Sequence, residues 1–137
     1  MTFNKQYLVS RILIALMALA MAAATIPAYW QPTINPGLVN LTAPAVSLGE
    51  TAGAFLGRQL TLIIIALIGA VTGHRYLVLI GAFGMFFMNG HDAILMGLLG
   101  GPTSAAIGGF VFAIIAAIAM YLVWRTTPVM EKPIENI

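Results

Sequence analysis

The chain has 137 residues, of which 61% are hydrophobic and only 7% are charged, with a formal net charge of +2. Soluble domains are about 25% charged, so this composition excludes that class and predicts an integral membrane protein with one domain over residues 1–137. The small net charge offers no basic surface for a nucleic-acid partner. Cysteine is absent, which excludes disulfides, thiolate catalysis and cysteine-based metal sites.

Four segments are long enough to span a membrane, which takes about 20 mainly apolar residues. In chain order they cover about 7–30, 51–73, 76–99 and 103–124, and an outer loop over 31–50 joins the first two. The first segment, with Lys5 and Arg11 near its start and "AMAAAT" near its end, also resembles a secretory signal peptide. Its apolar run continues to Trp30, longer than a signal core, so we expect a retained helix that Pro27 kinks or ends.

The basic residues indicate how the chain is threaded through the membrane. Five of the six lysines and arginines fall on one side of a four-span arrangement, and the sixth, Arg58, lies within the second span. The five are Lys5, Arg11, Arg75, Arg125 and Lys132. The two connections on the other side, "QPTINPGLVNLTAPAVSLGE" and "GGPT", contain no basic residue. The positive-inside rule then places both termini in the cytoplasm. The sequence therefore predicts an all-α integral membrane protein, an antiparallel four-helix transmembrane bundle.

Small residues recur along three of the spans at spacings that favour close helix packing within lipid. They are Gly53 and Gly57 in the second span, Gly81 and Gly84 in the third, and Ala105, Gly109, Ala113 and Ala117 in the fourth. We expect these stripes to form the helix–helix contacts of the bundle.

Two full charges lie inside the apolar spans, away from their ends: Arg58 in the second and Asp92 in the third. Each costs about 2.5 to 3.5 kcal/mol on insertion scales unless it is paired or hydrated. Each also lies about eight residues, or about 12 Å, from the outer end of its span. Neighbouring antiparallel helices would hold the two charges at one level, which predicts a buried Arg58–Asp92 ion pair.

Further polar residues surround this predicted pair. Asn89 lies three positions before Asp92 and shares its helix face, whereas His91 points about 100° away. Gln59 and Thr61 lie beside Arg58 on the second span, and Glu50 lies above it at the outer rim. An ionisable cluster inside a membrane is a candidate functional site by default.

Three interpretations of the cluster remain open. In the first, Arg58 and Asp92 form a structural pair in a non-catalytic subunit of a membrane complex. In the second, the cluster is a pocket for a small lipophilic or amphipathic molecule. In the third it belongs to a proton or ion path in a homo-oligomer, although no polar ladder leads to the inner side.

In the pocket interpretation, each residue has an expected role. Arg58 orients the molecule, Asp92 and His91 exchange protons, and Asn89 donates or accepts a hydrogen bond. Glu50, Gln59 and Thr61 contribute to ligand binding, and the loop over 31–49 closes the mouth of the pocket.

The sequence predicts no cofactor and no metal site. His74 lies at the inner end, far from His91, and no H-x-x-x-H or E-x-x-H spacing occurs. Glycine-rich phosphate loops and nucleophile-elbow motifs are likewise missing from the sequence.

In layout, the chain resembles the small DoxX-like membrane proteins of bacteria. The resemblance lies in four short spans, an outer loop after the first, an arginine early in the second and a polar break late in the third. It implies the four-helix layout and a bacterial inner membrane, and some members of that group are linked to redox or quinone chemistry.

Overall fold

The structure is a computed structural model that describes residues 5–38, 50–98 and 103–126, except for the side chains of residues 50 and 51. It contains four α-helices: α1 (Lys5–Ala28), α2 (Glu50–Thr72), α3 (Arg75–Leu98) and α4 (Thr103–Arg125). A short 3₁₀ helix, Pro32–Ile34, follows α1. All four α-helices are long and apolar enough to cross a membrane, and the described residues include no strand. These findings confirm the predicted all-helical architecture with four candidate spans.

The helices close into a ring in which α1 packs on α2, α2 on α3, α3 on α4, and α4 back on α1. We call the end that carries residues 29–38 the loop end, and the opposite end, where α1 begins and α4 finishes, the termini end. The central core combines bulky and small apolar residues from all four helices, among them Ile14, Ala18, Ile63, Ala66, Val78, Met85, Ala116 and Ala119. Because α1 supplies part of this core, it is an integral element of the bundle, and it ends at Ala28, one residue after Pro27.

Gly81 and Gly109 permit close contacts between helices. A Cβ atom on Gly81 would lie 2.9 Å from the Cα of Ala66 in α2. One on Gly109 would lie 2.8 Å from the main-chain oxygen of Asn89 in α3. Neither position has room for a larger residue, so these two glycines are packing residues, as the sequence predicts.

The prediction that Gly53 and Gly57 form helix–helix contacts is wrong. No heavy atom lies within 4 Å of a Cβ built on either glycine, so neither contacts another helix in the described structure. The buried residues of α2 include Leu56, Ile63 and Ala66, which lie on another side of that helix. Spacing alone did not reveal which side of α2 faces the bundle.

At the termini end, arginines bind the carbonyl ends of helices. Arg11 donates from Nε to the carbonyl of Ala70 at 2.7 Å, and from a terminal nitrogen to that of Val71 at 2.8 Å. These carbonyls lie in the last turn of α2, where the helix dipole and the unpaired C=O groups attract cations. Arg75 donates in the same way to the carbonyl of Thr126, just after α4.

Candidate binding cavity at the loop end

The stretch "MNGHDA" is part of a continuous helix. Helix α3 runs from Arg75 to Leu98 without a break, and only the Cβ of Ala113 comes within 4 Å of a Cβ built on Gly90. The side-chain nitrogen of Asn89 donates to the carbonyl of Met85, one turn earlier, at 2.8 Å. The polar residues are therefore presented from a regular helix rather than from a loop.

Beside this stretch, the helices form a half-open cavity of about 220 Å³ near the loop end. All four helices and residues 35–37 contribute to its wall. Its polar lining consists of Thr25, Asn35, Gln59, Asn89, Asp92 and Ser104, and its apolar lining includes Met21, Phe55, Met96 and Phe112. This mixture of a largely apolar wall and a few convergent polar groups is typical of small-molecule sites.

Gln59 is the centre of a hydrogen-bond network on one side of the cavity. Its side-chain oxygen accepts from the hydroxyl of Thr25 at 2.9 Å and from the amide nitrogen of Asn35 at 2.8 Å. The amide oxygen of Asn35 accepts in turn from the backbone N–H of Gly37 at 2.9 Å. Because Thr25 and Asn35 are only 1% and 2% exposed, the network ties α1, α2 and the segment after α1 together in the interior.

Thr25 and Asn35 were not identified from the sequence. Thr25 stands in an alanine-rich run and Asn35 in the connection after α1, neither of which is a recognised polar motif. Their one common signal is that both are uncharged polar residues near the same end of the first span. That signal is too frequent in membrane proteins to select them.

Asp92 lines the cavity from α3. One of its carboxylate oxygens is 3.3 Å from Nδ1 of His91, and its side chain is 30% exposed. His91 itself is 54% exposed, lies outside the cavity lining, and stacks on Phe87 with ring centroids 6.1 Å apart. The imidazole therefore contacts the carboxylate from the outer surface of the bundle.

The structure does not support the predicted Arg58–Asp92 ion pair. Within the described ranges, the side chain that contacts the carboxylate of Asp92 is His91, and Arg58 is exposed on the outside of α2. The physical reason is angular: Arg58 lies two positions, or about 200° around the helix, from the buried Leu56. Its neighbour Gln59 takes the inward position instead.

The other predicted site residues divide between the two surfaces. Asn89 and Gln59 line the cavity, whereas Thr61 is exposed beside Arg58 and donates its hydroxyl to the carbonyl of Gly57 at 2.9 Å. The side chain of Glu50 lies outside the described residues, as do positions 39–49 of the predicted lid.

The charge distribution limits what the cavity can bind. Among the described residues that line it, Asp92 carries the only formal charge. Arg11 and Arg75 are engaged by helix carbonyls at the termini end, and Arg58 lies on the outer surface. In the described part of the chain, no group of three His, Asp or Glu side chains could hold a metal ion. Any formal charge in the described lining is therefore negative.

No protein-family model, curated protein or solved structure matches this chain. Any inference about its function therefore depends on the geometry and chemistry of its own residues.

Proposed function

We propose that the protein binds a small amphipathic molecule with a cationic head group in the cavity at the loop end. The observation that carries this proposal is the position of Asp92, the one charged side chain in the described lining, with no cation opposite it. A carboxylate at this depth is costly without a counter-charge. The imidazole of His91 supplies one only when it is protonated, whereas a bound cation would supply one in either state.

The remaining lining suits the same class of ligand. The amide nitrogen of Asn89 donates to a backbone carbonyl, which leaves the amide oxygen of this side chain as an acceptor beside Asp92. Phe55 and Phe112 contribute aromatic rings, whose faces attract cations. Met21 and Met96 add flexible apolar surface for the non-polar part of the molecule.

The roles of the predicted site residues change accordingly. Asp92 binds the head group, Asn89 accepts a hydrogen bond, and Gln59 maintains the wall of the cavity through Thr25 and Asn35. His91 contacts the carboxylate from outside and orients it. Arg58 does not act on the ligand.

The setting we propose is a bacterial inner membrane with both termini in the cytoplasm. The basic residues at the termini end support this orientation through the positive-inside rule. The cavity would then lie in the half of the bilayer that faces away from the cytoplasm.

A matched pair of probes tests the proposal. Benzyltrimethylammonium and neopentylbenzene have the same shape, but only the former carries a charge. We expect benzyltrimethylammonium to raise the unfolding temperature of the purified protein in detergent more than neopentylbenzene does, and Asp92→Asn to abolish that difference. Because both probes partition into detergent, the comparison of wild type with Asp92→Asn isolates the contribution of the carboxylate.

Arg58→Gln is the matched control and should respond to both probes as the wild type does. Equal stabilisation by the charged and neutral probes, or an unchanged response of a folded Asp92→Asn, would refute the cationic ligand.

A further inference from the structure

Arg58, which is exposed on α2, lies in a groove that is separate from the cavity at the loop end. Arg58 lines this groove of about 460 Å³ together with Ala54, Gly57, Thr61, Leu62 and Ile65. Across the residues that the structure describes, no acidic side chain lies within ion-pair distance of Arg58. A cation on the lipid-facing side of a spanning helix requires water or an anionic group nearby.

The direction of the Arg58 side chain favours the headgroup region as the source of that anion. Arg58 lies eight residues after Glu50, about 12 Å from the start of α2. Side chains on a helix incline toward its N-terminus, and α2 begins at the loop end. The long stem of the arginine can therefore lie along the helix while its guanidinium reaches toward the nearer membrane surface.

The shape of the groove suits an acyl chain. Among the described residues, no heavy atom lies within 4 Å of a Cβ on Gly57, so they leave the backbone of α2 accessible there. Leu62 and Ile65 contribute apolar lining, and the hydroxyl of Thr61 is turned back onto the carbonyl of Gly57. Below Arg58 the groove is thus apolar.

We propose that this groove binds a membrane phospholipid. The Arg58 guanidinium pairs with the lipid phosphate, for which its planar array of donors is well matched. One acyl chain lies over Gly57 toward Leu62 and Ile65. A second copy of the chain is the less favoured occupant, because the intramembrane carboxylate that it would offer, Asp92, is turned toward its own His91 and cavity.

Native mass spectrometry of the protein in detergent, titrated with a phosphatidylglycerol, tests this site. We expect Arg58→Gln to weaken the tightest lipid-binding event by roughly tenfold or more, as for the loss of a charge-assisted hydrogen bond. Gly57→Leu keeps the charge but fills the groove, and should weaken the same event. The position is open, so the larger side chain should not prevent folding.

Two variants and one competitor serve as controls. Arg125→Gln removes an exposed arginine that stacks over Tyr121 at the end of α4, and Gly97→Leu fills another open glycine position. Both variants should change the affinity of the tightest lipid-binding event by less than about twofold. Inorganic phosphate, which lacks acyl chains, should not compete at the lipid concentrations used.

Several outcomes would overturn the phospholipid site. Unchanged lipid binding in Arg58→Gln would do so, as would an equal loss in Arg125→Gln, which would indicate a general charge effect. Competition by inorganic phosphate would show that contact between the groove and the acyl chain adds nothing to the affinity for the lipid. A wild-type dimer that Arg58→Gln converts to monomer, with lipid binding unaltered, would identify a second copy as the occupant.

Discussion

At the scale of single residues, two neighbouring side chains of α2 face different sides of the helix. Arg58 lies outside the bundle, whereas Gln59 accepts hydrogen bonds from Thr25 and Asn35 inside it. The charged residue is the more conspicuous of the two in the sequence, yet the uncharged one connects α1, α2 and the segment that follows α1. Inside a bundle, a neutral amide satisfies buried donors without the desolvation cost of a charge.

Gln59→Leu tests this role. The substitution leaves the buried donors of Thr25 and Asn35 without their acceptor, and we expect it to lower the free energy of unfolding by about 1 to 3 kcal/mol. The measurement is reversible unfolding in mixed detergent micelles followed by circular dichroism. Thr61→Val is the control, because the Thr61 hydroxyl bonds only within its own helix and is exposed. If both variants lose the same stability, the network is not a source of stability.

At the scale of helices, the approach of α2 to α3 is set by glycine. The position of a Gly81 Cβ would be 2.9 Å from the Cα of Ala66, closer than side-chain and backbone atoms pack. Bare backbone at this contact lets the two helices approach closely and gain van der Waals contact, the main source of association within lipid. A stripe of small residues contributes only where it meets another helix, as Gly53 and Gly57 show.

A comparison of Gly81→Ala with Gly97→Ala separates the effect of helix packing on stability from the effect of helix propensity. Both glycines lie in α3, but in the described part of the chain no heavy atom is within 4 Å of a Cβ on Gly97. We expect Gly81→Ala to destabilise the bundle by about 1 to 3 kcal/mol through overpacking. Gly97→Ala should be neutral or stabilising by up to about 1 kcal/mol, because alanine favours the helix. Equal unfolding free energies for the two variants would contradict close contact at Gly81.

At the scale of the whole molecule, the bundle has a polar cavity at one end and helix-capping arginines at the other. Arg11 and Arg75 serve helix carbonyls at the termini end, and the same residues contribute to the positive charge from which we infer the orientation. One set of basic side chains would thus fulfil two requirements, the termination of helices and the direction of insertion.

The orientation can be measured directly because the chain has no cysteine. Thr33→Cys introduces an exposed thiol at the loop end, and Lys5→Cys introduces one at the termini end. In intact bacterial cells with a permeable outer membrane, a membrane-impermeant maleimide should label Thr33→Cys. Lys5→Cys should react only after the inner membrane is disrupted. The reverse pattern would place both termini outside, and labelling of both thiols in intact cells would contradict a four-span threading.

The sequence by itself determined the number and approximate limits of the helices that are long and apolar enough to span a membrane. These follow from the cost of exposing backbone or polar groups to hydrocarbon, which acts along the chain and is visible in composition. It also identified Asp92, Asn89 and Gln59 as candidate site residues, since polar side chains within an apolar span are rare. All three line the same cavity.

Only the tertiary structure decided which side of each helix faces inward. In a soluble helix, the polar face marks the side toward solvent, but lipid and protein interior are both apolar, so that contrast is weak in this chain. Position along each span puts Arg58 and Asp92 at one level but does not give their angular positions around the helices. Helix packing then separated the two charges, placing Asp92 at the cavity and Arg58 on the outer surface of α2.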